Sequence, residues 1–144
     1  MNNALNGIRL AFKERNMRIH LCAAFYVIAA GLIVNITADE WRSIMLCIGL
    51  VMGMECLNTG LEALCDTLRP EKDRGIKAAK DAAAGGVLIS AAVSAIIGGC
   101  IFFNADSLSK AAAFITGRPV IFSLLVLLLP AWVYYIVRSK KDGK

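Results

Sequence analysis

Two stretches of this sequence, Leu21–Ala38 and Ala82–Ala105, contain no charged residue across 18 and 24 positions. A helix of about 20 apolar residues crosses about 30 Å of hydrocarbon. A third uncharged run, Ser43–Met54, leads directly into more polar sequence, and a fourth, Pro119–Val137, lies near the C-terminus. Inside a bilayer the backbone has no water to bond with, so runs of this kind fold as helices. Composition agrees: 58% of the 144 residues are hydrophobic and mean hydropathy is +0.62, against about 45–50% apolar residues in a soluble domain. The expected fold is an all-α integral membrane protein, with an N-terminal amphipathic surface helix, three core transmembrane helices and a fourth C-terminal transmembrane helix.

The segments between the apolar runs carry the local signals. Residues 4–18 place Leu5, Ile8 and Phe12 on one face, with Arg9, Lys13, Arg15 and Arg18 interspersed, which predicts an amphipathic helix on the membrane surface. Thr37-Ala-Asp-Glu40 reads as a capping box opening a helix that continues to about Asp66, with Trp41 at interface depth. Leu68–Gly75 reads as a polar turn, and a helix resumes near Ile76. Asn104–Arg118 reads as a weakly polar connector. Trp132, Tyr134 and Tyr135 suggest an aromatic belt at the end of the last span.

Charge sets an expected orientation. The N-terminal segment, residues 67–80 and the tail Arg138–Lys144 are rich in Lys and Arg, which puts both termini in the cytoplasm. The net charge of +5 is spread between apolar runs, so it fits lipid headgroups and not nucleic acid. The five cysteines form no CxxC pair and read as small buried hydrophobes, and the single His20 excludes a His-rich metal site. The first segment has no n-region followed by an h-region, so no cleavable signal peptide is expected.

Glu55, Asn58, Glu62 and Asp66 follow one another at offsets of 3, 7 and 11 from the first. On a helix these four side chains share one narrow stripe. Ionisable groups in a bilayer are costly, so the stripe marks a functional site. As glue between helices it would return only about 1 kcal/mol per hydrogen bond. Lys77, Lys80 and Asp81 fall at the same membrane face. Carboxylates together with substrate phosphates are how Mg²⁺ is held, and a lysine meets a phosphate as a point charge. Phosphoryl transfer needs these parts plus a group that deprotonates the nucleophile. No GxxxxGK[ST] loop and no HRD or DFG triplet is present, so none of the common soluble kinase folds applies. A small cation transporter using Glu55, Glu62 and Asp66, and a non-catalytic membrane scaffold, remain as alternatives.

Asn6-Gly-x-Arg9-x-Ala-Phe12, Asn16-Met-Arg-Ile-His20, the block Glu55-x-x-Asn58-Thr-x-x-Glu62-x-x-x-Asp66, Pro70-Glu71 and Ala79-Lys80-Asp81-x-Ala-Ala together resemble the small prokaryotic integral-membrane diacylglycerol kinase family, which includes undecaprenol kinases. The resemblance covers roughly residues 3–103, which makes 1–103 the kinase core and 104–144 an extension. It implies a lipid kinase of the bacterial inner membrane that uses ATP and Mg²⁺. It also implies a homotrimer with active sites shared between subunits. By the same resemblance Glu55 is the base for the lipid hydroxyl and Asn58 an active-site amide. Glu14 and Glu62 hold Mg²⁺ with the nucleotide, while Asp66, Lys80 and Asp81 belong to the nucleotide site. Glu71, Lys72 and Asp73 form the loop covering the nucleotide, and Arg9 lies near substrate or headgroups. The Asn-Thr form of the block and the Asn-x-Arg-Ile-His segment are more similar to the undecaprenol branch than to the enterobacterial diacylglycerol branch, so undecaprenol is the expected acceptor and diacylglycerol the alternative.

Three features depart from that family pattern. The chain begins close to its surface helix, without the basic, Ser- and Phe-containing stretch usual before it. The covering loop reads Glu-Lys-Asp-Arg-Gly where Glu-Tyr-His is usual. Residues 104–144 add a span, which is too short for a fused phosphatase domain and has no histidine after His20. That span reads as a structural helix, lipid-facing or flanking the trimer.

Overall fold

The apolar runs fold as helices whose ends are fixed by local chemistry. The computed structural model of the chain describes residues 2–68 and 73–138. Through them run α1 (Asn2–Ala11), α2 (Arg15–Val34), α3 (Ala38–Leu68), α4 (Arg74–Phe102), α5 (Ala105–Gly117) and α6 (Pro119–Arg138). Four of these, α2, α3, α4 and α6, are long and apolar enough to cross a membrane. No strand occurs among the described residues. This is the all-α, multi-pass membrane architecture expected from the sequence.

The α2–α3 hairpin sets the register of the bundle. Asn35 ends α2 in the left-handed region, with φ 53, and its N–H donates to the carbonyl of Gly31. Asparagine is one of the few side chains that adopts this conformation readily. The capping box then starts α3: Thr37 N–H donates to Glu40 Oε2 at 2.7 Å, and Glu40 N–H to Thr37 Oγ1 at 3.3 Å. Gly31 lets the two helices approach closely, since a Cβ there would sit 2.9 Å from Trp41 Cη2 and 3.0 Å from Ile36 Cδ1. Around this end pack Val34, Ile36, Ile44 and Ile101, with Trp41 and Phe102 against them.

From the Gly31–Trp41 contact, 14 residues back along α2 lead to Met17, and 14 onward along α3 lead to Glu55. Both helices rise equally, so the two residues stand level, about 21 Å from that contact. They are the largest side chains in the chain with under 2% exposure. The α3–α4 pairing is equally close, with Gly86 pressed against the Met54 methyl, in the manner of small residues between membrane helices. Ser90 and Ser94 donate their hydroxyls to the carbonyls of Gly86 and Ser90, at 2.9 and 2.7 Å, so neither leaves a polar atom bare in hydrocarbon.

Two segments differ from expectation. The amphipathic segment is not one helix over residues 4–18. It stops at Ala11, turns through Phe12–Glu14, and resumes as α2 at Arg15. Lys13 and Glu14 donate to the carbonyls of Leu10 and Ala11, at 3.1 and 2.9 Å, the tight i→i−3 pattern of a helix end. Arg15 and Arg18 therefore belong to the spanning helix. The weakly polar connector, to which the sequence assigned no element, forms α5 over residues 105–117. Asn104 is its N-cap, accepting the Ser107 N–H at 2.9 Å, and Ala111–Ala113 favour the helix that follows.

The last helix, α6, lies against α2 and α5. Phe25, Trp132 and Tyr135 form a ladder of rings with neighbouring centroids 5.9 Å apart. Pro130 has no N–H to give the carbonyl of Val126. One residue before that carbonyl, Leu125 accepts the Tyr26 hydroxyl at 3.0 Å. At the end of the helix, where carbonyls lack intrahelical partners, Arg18 Nη1 donates to Tyr135 O at 3.0 Å, and its guanidinium sits 4.6 Å from the Tyr135 ring centre.

The hairpin geometry predicts a contrast between two glycines. Gly31→Val drives atoms into Trp41 and Ile36 and is expected to destabilise the protein by about 1–3 kcal/mol. A Cβ at Gly49 meets nothing within 4 Å, and Gly49→Val is expected to be near neutral. Reversible unfolding in mixed micelles would measure both, and equal losses at the two positions would contradict this account of the hairpin.

Candidate active site

The 31 residues of α3 make a helix about 46 Å long, longer than a bilayer's hydrocarbon of about 30 Å. With Trp41 at one interface, Glu55 stands about 21 Å along, Glu62 about 31 Å and Asp66 about 37 Å. The stripe thus begins inside the apolar layer, crosses its edge at Glu62, and leaves it at Asp66. Burial follows this order. Glu55 is 1% exposed and Asn58 4%, while Glu62 is half-buried and Asp66 exposed.

The inner part of the stripe is polar, buried and incompletely bonded. Asn58 Nδ2 donates to Glu62 Oε1 at 3.2 Å. Glu55 Oε2 and Asn58 Oδ1 are buried without a hydrogen-bond partner among the described residues. A buried polar atom left unpaired costs about 1–3 kcal/mol, more when charged. Two of them on successive turns of one helix are a cost that a ligand would remove. Thr59, 6% exposed, extends the buried polar patch.

Other elements bring charges to the same end of the bundle. Glu14 sits at the corner between α1 and α2, in the N-cap position of α2, yet its side chain makes no capping hydrogen bond. The charges of Glu62 and Glu14 both act on Glu55, so α1–α2 and α3 bring three carboxylates into one electrostatic neighbourhood. From α4, Lys80 Nζ pairs with Asp66 Oδ1 at 2.5 Å, and it also feels the charge of Glu62. Lys80 therefore stands against the outer carboxylates, where it can exchange Asp66 for an anionic ligand. Among the described residues, no three His, Cys, Asp or Glu side chains gather as a ready-made metal cage.

The remaining residues singled out from the sequence are placed as follows. Asp73 is the N-cap of α4 and accepts from Gly75 N–H at 2.7 Å and Ile76 N–H at 3.3 Å. Asp81 is exposed on α4, one residue beyond Lys80, and Arg9 is exposed on α1. Glu71 and Lys72 lie outside the described residues. One link at this end carried no sequence signal: Arg18 donates from Nε to Phe12 O at 3.3 Å, tying the corner that carries Glu14, and from Nη1 to α6. Its partner Tyr135 is 117 positions away, so nothing local could have revealed the link.

Comparison with known proteins gives this constellation a context. The family described as prokaryotic diacylglycerol kinase matches residues 2–102. The undecaprenol kinase of Bacillus subtilis (strain 168) is 43% identical over 89 residues, which cover 62% of this chain and 72% of that protein. A diacylglycerol kinase from Synechocystis is 39% identical over 97 residues, 66% of this chain and 55% of that one, so the match spans little more than half of that relative. No solved structure matches the chain significantly. With the spanning helices α2, α3 and α4 and the stripe inside the matched residues, the chain belongs to the prokaryotic diacylglycerol kinase family: it is a multi-pass membrane protein and a lipid kinase.

Proposed function

We propose that this chain transfers the γ-phosphoryl group of Mg-ATP to the hydroxyl of undecaprenol. In this reading it works as a homotrimer in a bacterial inner membrane, with both termini and the site at the cytoplasmic face. Residues 1–103 form the kinase core and 104–144 an accessory extension. The observation that carries the proposal is Glu55: a fully buried carboxylate, one oxygen of which has no hydrogen-bond partner among the described residues, about 21 Å along a helix long enough to cross a bilayer and followed on that helix by outer carboxylates that a lysine meets. A lipid alcohol reaches that depth from the bilayer, and a nucleotide reaches the edge from water. The Asn58-Thr59 form of the stripe and the likeness to an undecaprenol kinase favour a polyprenyl acceptor. The likeness to a diacylglycerol kinase supports diacylglycerol as the second reading.

The chemistry follows from position. Glu55 accepts the proton of the lipid hydroxyl. The hydroxyl oxygen forms a bond to the γ-phosphorus, the bridging P–O bond breaks, and ADP leaves with that electron pair. Asn58, one turn on, offers its amide to the reacting oxygens. Glu14 and Glu62 supply hard oxygen donors that suit Mg²⁺, which is commonly held by one or two carboxylates and by substrate phosphates. The lack of a three-residue cage among the described residues fits that mode. When bound, Mg²⁺ neutralises phosphate charge. Lys80 holds phosphate oxygens as a point charge, Asp66 orients the lysine, and Asp81 flanks it. Glu71, Lys72 and Asp73 cover the nucleotide, and Arg9 attends the lipid headgroup.

The deciding experiment is Mg²⁺-dependent labelling with γ-labelled ATP, giving the purified protein undecaprenol and diacylglycerol separately. Label in undecaprenol supports the first reading, label in diacylglycerol the second, and label in neither from folded protein rejects both. Glu55→Gln removes the base but keeps the shape. We expect turnover to fall by about 10²–10⁴-fold with Mg-ATP affinity retained, and wild-type turnover would remove Glu55 from the chemistry. Glu62→Gln and Lys80→Ala are expected to weaken Mg-ATP binding instead, by calorimetry in detergent. Wild-type affinity in both variants would place the nucleotide elsewhere.

A further inference from the structure

A groove of about 800 Å³ lies between α2, α3 and α6. Phe25 and Ile28 of α2, Ile48 and Met52 of α3, and Leu128 and Trp132 of α6 form its apolar walls. The α6 wall stands outside residues 2–102, where the family likeness ends. It is therefore a feature of this chain and not of the matched core.

The register of the helices says what the groove is next to. Met52 and Ile48 precede Glu55 by three and seven residues. They share its face of α3, one and two turns further from the charged end. On α2 the groove begins at Leu21, one turn beyond Met17, which stands level with Glu55. It thus runs from just beneath the buried carboxylate toward the middle of the bilayer. An alcohol whose hydroxyl meets Glu55 can lay its first carbons along this path, past Met52 and Ile48.

We propose that this groove binds the hydrocarbon tail of the lipid alcohol, and that α6 thereby sets the chain-length preference. The inference rests on the reading of Glu55 as the group that receives the hydroxyl. Charge distinguishes this occupant from bulk phospholipid. A phospholipid with its tails here would bring a phosphate against Glu55, Glu62 and Glu14, and like charges oppose that placement. An uncharged alcohol brings none. Arg18, a cation at the charged end of the groove, is already engaged by Phe12 O, Tyr135 O and the Tyr135 ring.

The test uses the full chain in phosphatidylcholine nanodiscs. Undecaprenol and diacylglycerol, each with a diazirine in the tail, are photolysed on the protein and the adducts mapped by mass spectrometry. We expect adducts on residues 119–138 from the alcohol that the enzyme phosphorylates, removed by excess of the same unlabelled alcohol despite the phosphatidylcholine present throughout. Adducts absent from α6, or not displaced by the alcohol, overturn the proposal, the second result marking a groove for bulk lipid. Ala131→Phe narrows the groove from α6. It is expected to raise KM for the long-chain alcohol by roughly tenfold, the scale of a lost methylene-sized fit. KM for Mg-ATP and turnover of a short-chain analogue should stay at wild-type values. An unchanged long-chain KM overturns the proposal, and the crosslinking decides alone if this variant does not fold. Failure of the kinase reading is separate, since it appears as no turnover with any alcohol, short or long.

Discussion

A carboxylate about 21 Å along a bilayer-crossing helix persists only if protein, and not lipid, surrounds it. The rest of this structure is arranged around that requirement. Met17 is buried as completely as Glu55, α1 lies against α3, and the corner between α1 and α2 carries Glu14, whose charge reaches Glu55. α4 packs extensively against α3 and delivers Lys80 to Asp66, at the outer end of the stripe. The hairpin at the far end fixes how α2 and α3 meet. Large hydrophobic side chains elsewhere, such as Leu46, Leu57, Leu88 and Ile96, are exposed because their solvent is lipid.

The stripe on α3 also resolves a problem of phase. A lipid alcohol and a nucleotide do not share a solvent, yet their reacting atoms must meet. A single straight helix holds Glu55 in one solvent and Asp66 at the border of the other, with Asn58 and Glu62 bonded between them. Soluble kinases cradle phosphates with a glycine-rich loop. In the function proposed for this chain, helix ends and charged side chains take that place, an arrangement open to any protein whose helices outrun the bilayer.

Much of this was legible in the sequence, because the signals are local or periodic. The spanning helices followed from uncharged length, the capping box from Thr37 and Glu40, and the stripe from the spacing of its four residues. What was not legible depends on tertiary contact or on competition between neighbouring turns. The break at Phe12–Glu14 interrupts an amphipathic pattern that continues through it, so periodicity alone carries the helix too far. The helix α5 hides behind a mildly polar composition, although Asn104 and the alanines were there to be read. The Arg18–Tyr135 link and the grouping of Glu14 with Glu55 join residues distant in sequence. The aromatic residues near the end of α6 read as an interfacial belt, yet Trp132 and Tyr135 also pack against α2.

The close contact of Gly31 with Trp41 makes the length of the hairpin arms a functional quantity. Trp41 and Glu55 are separated by nearly four helical turns, and Gly31 and Met17 by the same number, so each arm returns to the same angular setting where the carboxylate is buried. One residue inserted in α3 between Trp41 and Glu55 would advance the carboxylate by about 1.5 Å and rotate it by about 100°. The second change is the larger one, because it swings Glu55 from the protein interior toward acyl chains. The two arms behave as matched rulers, and the burial of the carboxylate at one end depends on how many residues are counted from the other.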